Sequence, residues 1–273
     1  MRKERRFSHR LEDYDLSDPQ SKRRYNEELF TPVSYVYPRI TKLLSFGRDG
    51  AWKRDLVESL AAHIDALSPV YPVGYGHEAS TLDLRALDIA CGPGDLTFLL
   101  AGKFPGARVT GVDLNRDMLE RARGRLADLP PELTARVEFL PGDMGNIDVP
   151  GETFDIVTGG YALRNAPDLS GTLREILRVL KPGGIAAFLD FSKSAAPKLR
   201  DVQLALLSFW GRIWGGLMHG NPEVYGYIAE SLRSFPDAAA FLRLLESEGF
   251  ELQSERVLFF GFLRATVVRK PVS

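Results

Sequence analysis

The residues with the most chemical content lie in Leu87-Asp-Ile-Ala-Cys-Gly-Pro-Gly-Asp-Leu-Thr97, where Gly92 and Gly94 stand between the carboxylates of Asp88 and Asp95. Glycines in a tight turn let the backbone bend sharply and let a ligand approach with no Cβ in the way. A dinucleotide fingerprint, Gly-x-Gly-x-x-Gly, would want a third glycine where Thr97 stands. That glycine serves close helix–strand packing, so its absence argues against a dinucleotide. Asp88 and Asp95 would also repel phosphates. They suit a ligand with a cationic end and no phosphate, a character that S-adenosylmethionine has.

Two further groups extend this site. Asp113 can accept from both ribose hydroxyls, the role an acid plays at this point in such folds. Asp143, between Gly142 and Met144, can accept from an adenine amino group while Met144 packs on the ring. Each alone has a plainer reading, since Asp at a strand end is often a helix cap and Asp143 could be an ordinary turn residue. Their order along the chain joins them into one cofactor site. Ala90, Cys91, Leu114, Met118 and Gly159 are expected to complete it.

The elements needed to hold these groups are legible from patterning. Short apolar runs at 84–90, 108–113, 137–140, 154–158 and 185–191 read as strands. Amphipathic stretches at 96–103, 116–129 and 169–180 read as the crossover helices between them, the last stopped by Lys181-Pro-Gly-Gly184. This alternation argues for a doubly wound, mostly parallel α/β sheet. A helix at 237–248 and two strands at 255–260 and 262–269 add a terminal hairpin, for seven strands in all. Residues 30–67 have helical spacing interrupted by Pro32, Pro38 and Gly47, and 68–80 reads as a linker. The expected division is a charged lead-in over 1–29 and a single domain over 30–273, with helices and linker at 30–80 and a helical insertion at 195–235.

Composition excludes several classes. Lys and Arg number 35 against 36 Asp and Glu, so no positive excess points to nucleic acid. The one cysteine, Cys91, rules out an internal disulfide framework and a multi-cysteine zinc site. His9, His63, His77 and His219 are scattered without metal-ligand spacing, so no metal is expected. No apolar run approaches a membrane span, and the N-terminus lacks a signal-peptide core, so a cytoplasmic protein is expected. Arg2, Lys3, Arg5 and Arg6 read as a solvated tail or as a contact for anionic lipid.

These residues resemble class I S-adenosylmethionine-dependent methyltransferases, with a Rossmann-like fold. The resemblance runs from about Phe30 to Lys270 and is sharpest to the ubiquinone/menaquinone C-methyltransferase family. It rests on Leu44-Ser-Phe-Gly47 with Trp52-Lys-Arg54, on Ala162-Leu-Arg-Asn165, and on Leu189-Asp-Phe-Ser-Lys193. Arg178-Val-Leu-Lys-Pro-Gly-Gly184 and the segment 227–237 are also similar. There are departures. Pro38 and Thr41 stand where that family usually has Asp and Asn, and Cys91 stands where a second glycine is common. The resemblance implies cofactor contacts at Asp88, Gly92, Gly94, Asp113, Asp143 and Met144, and an active-site role for Arg164 and Asn165. It implies methylation of a ring carbon of a prenylated quinol, a small lipophilic phenolic substrate.

A phenolic ring carbon becomes a good nucleophile only when its hydroxyl loses a proton, so the site needs a base or a cation. Arg164 can supply the cation and Asn165 can orient it, although a surface ion pair of Arg164 with Asp168 competes. His219 is the candidate base by its usual pKa. A water polarised by Arg164 and Asn165 would also serve. Tyr37, Tyr161, Trp210, Trp214 and Tyr225 are candidate substrate-lining groups. The apolar stretch 204–218 reads as a lid touching the inner membrane surface, as a homodimer contact, or as core. O- or N-methylation of another small molecule, and a non-catalytic cofactor-binding subunit, are the competing functions.

Overall fold

The computed structural model describes residues 11–16, 18–66 and 84–272. The Arg2–Arg6 basic cluster, His9, His77 and the 68–80 linker lie outside them. Strands β1 (Arg85–Ile89), β2 (Arg108–Asp113), β3 (Val137–Pro141), β4 (Phe154–Gly160) and β5 (Leu180–Phe191) run parallel. With β6 (Glu251–Leu258) and β7 (Leu263–Arg269) they form one seven-stranded sheet in the order β3-β2-β1-β4-β5-β7-β6. Strand β7 runs against both of its neighbours. The expected doubly wound sheet with a terminal hairpin is the observed one.

Helices α1 (Pro19–Ser34), α2 (Tyr37–Leu44) and α3 (Asp49–Ala66) precede the sheet. Helices α4 (Asp95–Lys103), α5 (Arg116–Ala127), the one-turn α6 (Pro131–Thr134) and α7 (Leu169–Val179) lie between its parallel strands. Helices α8 (Pro197–His219), α9 (Glu223–Ser234) and α10 (Ala238–Ser247) follow β5. Alternation along the strands builds a core on each face. Ile185, Ala187 and Leu189 pack with Leu56, Leu60 and Leu100 on one side. Ala186 and Phe188 pack with Leu173, Ile176 and Leu245 on the other. Among the described residues no helix is long and apolar enough to cross a membrane.

Several boundaries differ from expectation; strand β6, for one, runs over Glu251–Leu258 rather than 255–260. Residues 1–29 are not a lead-in throughout, because α1 opens at Pro19 with its first turn capped by the Asp18 carboxylate, which accepts from Ser21 N at 2.7 Å. Tyr25, Leu29 and Val33 share one face of α1 and are buried against Tyr227 of α9. The many charges of that segment hide this stripe. Pro32 does not break the helix; it falls in the last turn of α1. Strand β5 begins at Leu180 rather than 185, because Lys181 is drawn to the Asp155 carboxylate at 2.8 Å and Gly183 N donates to Lys270 O.

Candidate active site

The strand order reverses between β1 and β4, which leaves a crevice beyond their carboxyl ends. A cleft in it is walled by Ala90, Gly92, Asp113, Leu114, Met118, Gly142, Asp143 and Met144, and covered by Arg23, Asn26 and Phe30 of α1. Gly92 has φ +54°, and a Cβ there would meet nothing within 4 Å, so its backbone is an open cradle. Gly94 has φ +87°, and a Cβ there would stand 2.8 Å from the Phe139 ring. Only glycine fits that corner of the turn.

Asp113 is held by two backbone donors, Gly92 N to Oδ2 at 2.8 Å and Asn115 N to Oδ1 at 2.7 Å. Burial raises its pKa, and these two amides oppose the rise. Each carboxylate oxygen keeps a lone pair, so the fixed group can accept from a vicinal diol. Asp143 accepts from Gly145 N at 2.9 Å and pairs with Arg23 at 2.8 Å across the cleft. Met118 and Met144 supply buried apolar walls. An open glycine cradle, a fixed acceptor for hydroxyls and a thioether wall together fit an adenosine-bearing cofactor.

Four expected cofactor contacts stand elsewhere. Gly94 shapes the turn from outside the cleft wall. The Asp88 side chain does not reach the cleft; it accepts from Thr97 Oγ1 at 2.7 Å and Thr158 Oγ1 at 2.9 Å beneath the turn. Burial pushes its pKa up to about 7 despite those bonds. Thr97, which replaces the third glycine of a dinucleotide turn, therefore anchors a buried acid. Cys91 turns its thiol into the core beside Phe139 and contributes backbone only. Strand alternation points Gly159 at Ile89, and Gly160 lines the cleft instead.

Asp95 is likewise no free charge beside the ligand, since Lys53 at 2.9 Å and Arg125 at 2.6 Å pair with it. Burial would raise its pKa, but these two cations hold it below the usual range. The acids flanking the turn therefore serve the scaffold. The acids lining the cleft are Asp113, Asp143 and, from α1, Glu27, which pairs with Arg23.

A second cavity, of about 420 Å³ and almost wholly apolar, meets the cleft at Phe30, Tyr37 and Tyr161. Leu29, Val33, Ile40 and Leu44 form one side, and Leu206, Phe209, Trp210 and Val224 form another. Polar groups gather where the two spaces join. Tyr161 directly follows β4 with φ +59°, a conformation that a non-glycine residue adopts at a cost. Its hydroxyl donates to Asp49 Oδ1 at 2.9 Å. Asp49 Oδ2 binds Lys53 at 2.8 Å, so Arg125, Asp95, Lys53, Asp49 and Tyr161 form one chain of partners. Burial works against the Lys53 charge, but Tyr37, Asp95 and Asp49 outweigh it and raise its pKa. Burial pushes Tyr37 up to about 12, so that hydroxyl stays protonated at neutral pH.

Arg164 faces the same cavity with its side chain only 7% exposed. Asp168 does not pair with it; that carboxylate caps α7 by accepting from Gly171 N at 2.9 Å. Arg164 instead turns inward to Asp190 at 3.3 Å, Ser231 Oγ at 3.0 Å and Asn165 Oδ1 at 3.2 Å. Its guanidinium lies 5.2 Å from the Phe191 ring centre. Asn165 lines the cofactor cleft and donates to Tyr161 O at 3.1 Å. The two side chains therefore bridge cleft and cavity.

The other expected site residues divide. Tyr37, Tyr161, Trp210 and Tyr225 line the apolar cavity. Trp214 does not; it packs edge-on against Trp210 at 5.7 Å. His219 lines neither space. It sits at the end of α8, with Nε2 2.8 Å from the Tyr225 hydroxyl. Its place in a helix terminus, behind Tyr225, removes it from contact with a substrate. Asp49, Lys53 and Asp190 were missed. Asp49 and Lys53 form an i,i+4 pair at the head of α3, and nothing local to the sequence shows that the pair is buried.

A profile of the ubiE/COQ5 methyltransferase family matches residues 19–267. A 2-phytyl-1,4-naphtoquinone methyltransferase from Synechococcus elongatus is 34% identical over 89% of this chain and 95% of its own length. A ubiquinone/menaquinone biosynthesis C-methyltransferase from Methylobacterium nodulans is 34% identical over 86% of each chain. A demethylmenaquinone methyltransferase from Staphylococcus aureus is 28% identical over 86% of this chain and 88% of its own. Among solved structures, a methyltransferase from Methanosarcina mazei superposes with a TM-score of 0.52 at 22% identity, over 70% of this chain and 94% of that one, a likeness of fold. With the match spanning every element from α1 into β7, this chain belongs to the ubiE/COQ5 methyltransferase family and is an S-adenosylmethionine-dependent methyltransferase.

Proposed function

We propose that this methyltransferase acts on a ring carbon of a prenylated quinol or closely related phenol. The observation that carries the reading is the apolar cavity of about 420 Å³ that, among the described residues, joins the cofactor cleft at Tyr161, Tyr37 and Phe30. A polar ring head fits that junction, and an isoprenoid tail fits the Leu, Phe and Trp walls. The family and the quinone substrates named for the relatives support it.

S-adenosylmethionine, when bound, supplies a methyl group already activated by its positive sulfur. The protein's own residues then have three tasks. Asp113 and the Gly92 backbone would hold the cofactor in the cleft beside the junction, which is mostly a proximity effect. Arg164 stabilises the phenolate oxygen with a guanidinium fixed on Asp190 and Ser231. Asp49 is the one carboxylate among the described residues lining the apolar cavity, and it takes the phenolic proton through Tyr161.

Incubation with demethylmenaquinol, its ubiquinol counterpart and other phenols, read by mass spectrometry, tests the reading. A mass gain of one methyl on the ring of a prenylated quinol is expected. Methyl found only on oxygen or nitrogen would replace C-methylation. Cofactor binding without any methylated product would move the chain to a non-catalytic role. For the cofactor site, Asp113→Ala should weaken S-adenosylmethionine binding about tenfold or more, about 1.4 kcal/mol, by calorimetry. Unchanged affinity would remove Asp113 from the ribose.

A further inference from the structure

Helix α8 has two faces with opposite commitments. One is closed against α9, where Gly211 and Gly215 let the backbones touch; a Cβ on Gly211 would stand 2.3 Å from Tyr225 O and one on Gly215 2.6 Å from Asn221 O. The other face is bare. Leu199, Val202, Leu206, Phe209, Ile213 and Leu217 recur at spacings of three and four, so they form one stripe along the helix. All six are exposed, Phe209 by 65% and Leu217 by 72%. At 1.5 Å per residue the stripe is roughly 27 Å long.

The stripe ends on the mouth of the apolar cavity. Leu206, Phe209 and Trp210 line that cavity, and Trp210 stacks on Phe46, itself 61% exposed, at 5.3 Å. On the next side, the turn between β6 and β7 holds Phe259 and Phe260 at positive φ. That strained turn presents Phe260 with 93% of its surface bare. Gln203 of α8 ties the turn down by donating to Gly261 O at 3.2 Å.

The charges around this rim have one dominant sign. Arg39 and Lys42 of α2, Arg48, and Lys198 and Arg212 of α8 are exposed, and among the described residues none of the five has an ion-pair partner. Asp201 is the one acid on α8, beside Arg200 at 3.8 Å. An apolar stripe with protruding aromatics and a basic rim is complementary to an anionic lipid surface. A second copy of the chain would face the same unpaired cations with its own.

We propose that the α8 stripe, Phe46 and Phe260 dock this enzyme on anionic bilayers, with the cavity mouth opening into the acyl region. Substrate tails then enter the cavity from lipid without crossing water. The docking surface deepens the proposed lipophilic substrate but is tested without any methyl transfer. Failure of one therefore does not imply failure of the other.

The test is flotation of the full chain with vesicles of phosphatidylcholine alone and with about one third phosphatidylglycerol. Binding to the anionic vesicles, weakened by added salt, is expected. The double substitution Val202→Glu and Leu217→Glu should reduce that binding about tenfold or more, with the circular dichroism spectrum and cofactor affinity unchanged. Lys42→Glu with Arg39→Glu should remove the preference for anionic lipid. Absence of wild-type binding to anionic vesicles would overturn the proposal, as would binding that the α8 substitutions leave intact. A solution dimer that those substitutions split, with no lipid binding, would assign the face to a second copy instead.

Discussion

Arg164→Ala lowers kcat by about 10²–10³-fold while S-adenosylmethionine affinity stays within about twofold. The magnitude follows from where the charge sits. The guanidinium is nearly buried, fixed by Asp190, Ser231 and Asn165, and aimed into an apolar cavity where a developing oxyanion has little else to stabilise it. A charge held in place before reaction needs no reorganisation when the phenolate forms. Arg164→Lys should recover only part of the rate, because an ammonium cannot keep the three planar contacts. Single-turnover kinetics beside cofactor calorimetry make the measurement. Equal loss of rate and cofactor affinity would make Arg164 a support for the cleft, with no part in the chemistry. Because Asp190 would be left buried without its cation, the melting temperature of each variant is read alongside.

Asp49→Asn gives the second large effect, a fall in kcat of about 10²-fold at pH 7 that shrinks as pH rises. The sign follows from the proton. In the wild type, Asp49 takes the phenolic proton through Tyr161, so the rate does not wait for ionisation of the substrate in solution. In the variant that acceptor is gone, and the reactive phenolate comes only from the fraction already ionised. A phenol titrates near pH 10, so the variant's rate climbs about tenfold per pH unit below that value. Burial and Asp49 hold the Tyr161 hydroxyl well above its ordinary pKa, so Tyr161 relays protons and does not replace the carboxylate. A pH–rate profile that is equally depressed and parallel to wild type would assign Asp49 to structure alone. Tyr161→Phe should share the pH-dependent recovery, since it breaks the same route.

What could be read from the chain alone follows from what is local. The strand–turn–helix around Gly92 and Gly94, Asp113 at the end of β2, Asp143 just beyond β3, and the Leu163-Arg-Asn165 segment carry their chemistry within a few residues. Local spacing suffices to recognise the alternating sheet as well, because a strand buried on both faces must be apolar along its whole length. The start of helix α1 is not legible because its three buried apolar positions are outnumbered by charges that face water. Asp88 looked like a ligand group because its neighbours in sequence form the turn. Its partners, Thr97 and Thr158, come from a helix and a strand that only packing brings beneath it.

The division between Asp49 and His219 shows the same rule. By intrinsic pKa His219 is the better base, and no local pattern contradicts that. Folding puts His219 behind Tyr225 and sets Asp49, from a helix entered 112 residues earlier in the chain, 2.9 Å from the Tyr161 hydroxyl. The sequence determined the fold class, the cofactor turn and the family, because backbone geometry and side-chain type are specified within short windows. Tertiary packing decided which acid is a scaffold pin, which is a proton acceptor and which apolar face is left bare. Each of those roles depends on burial and on partners far apart along the chain.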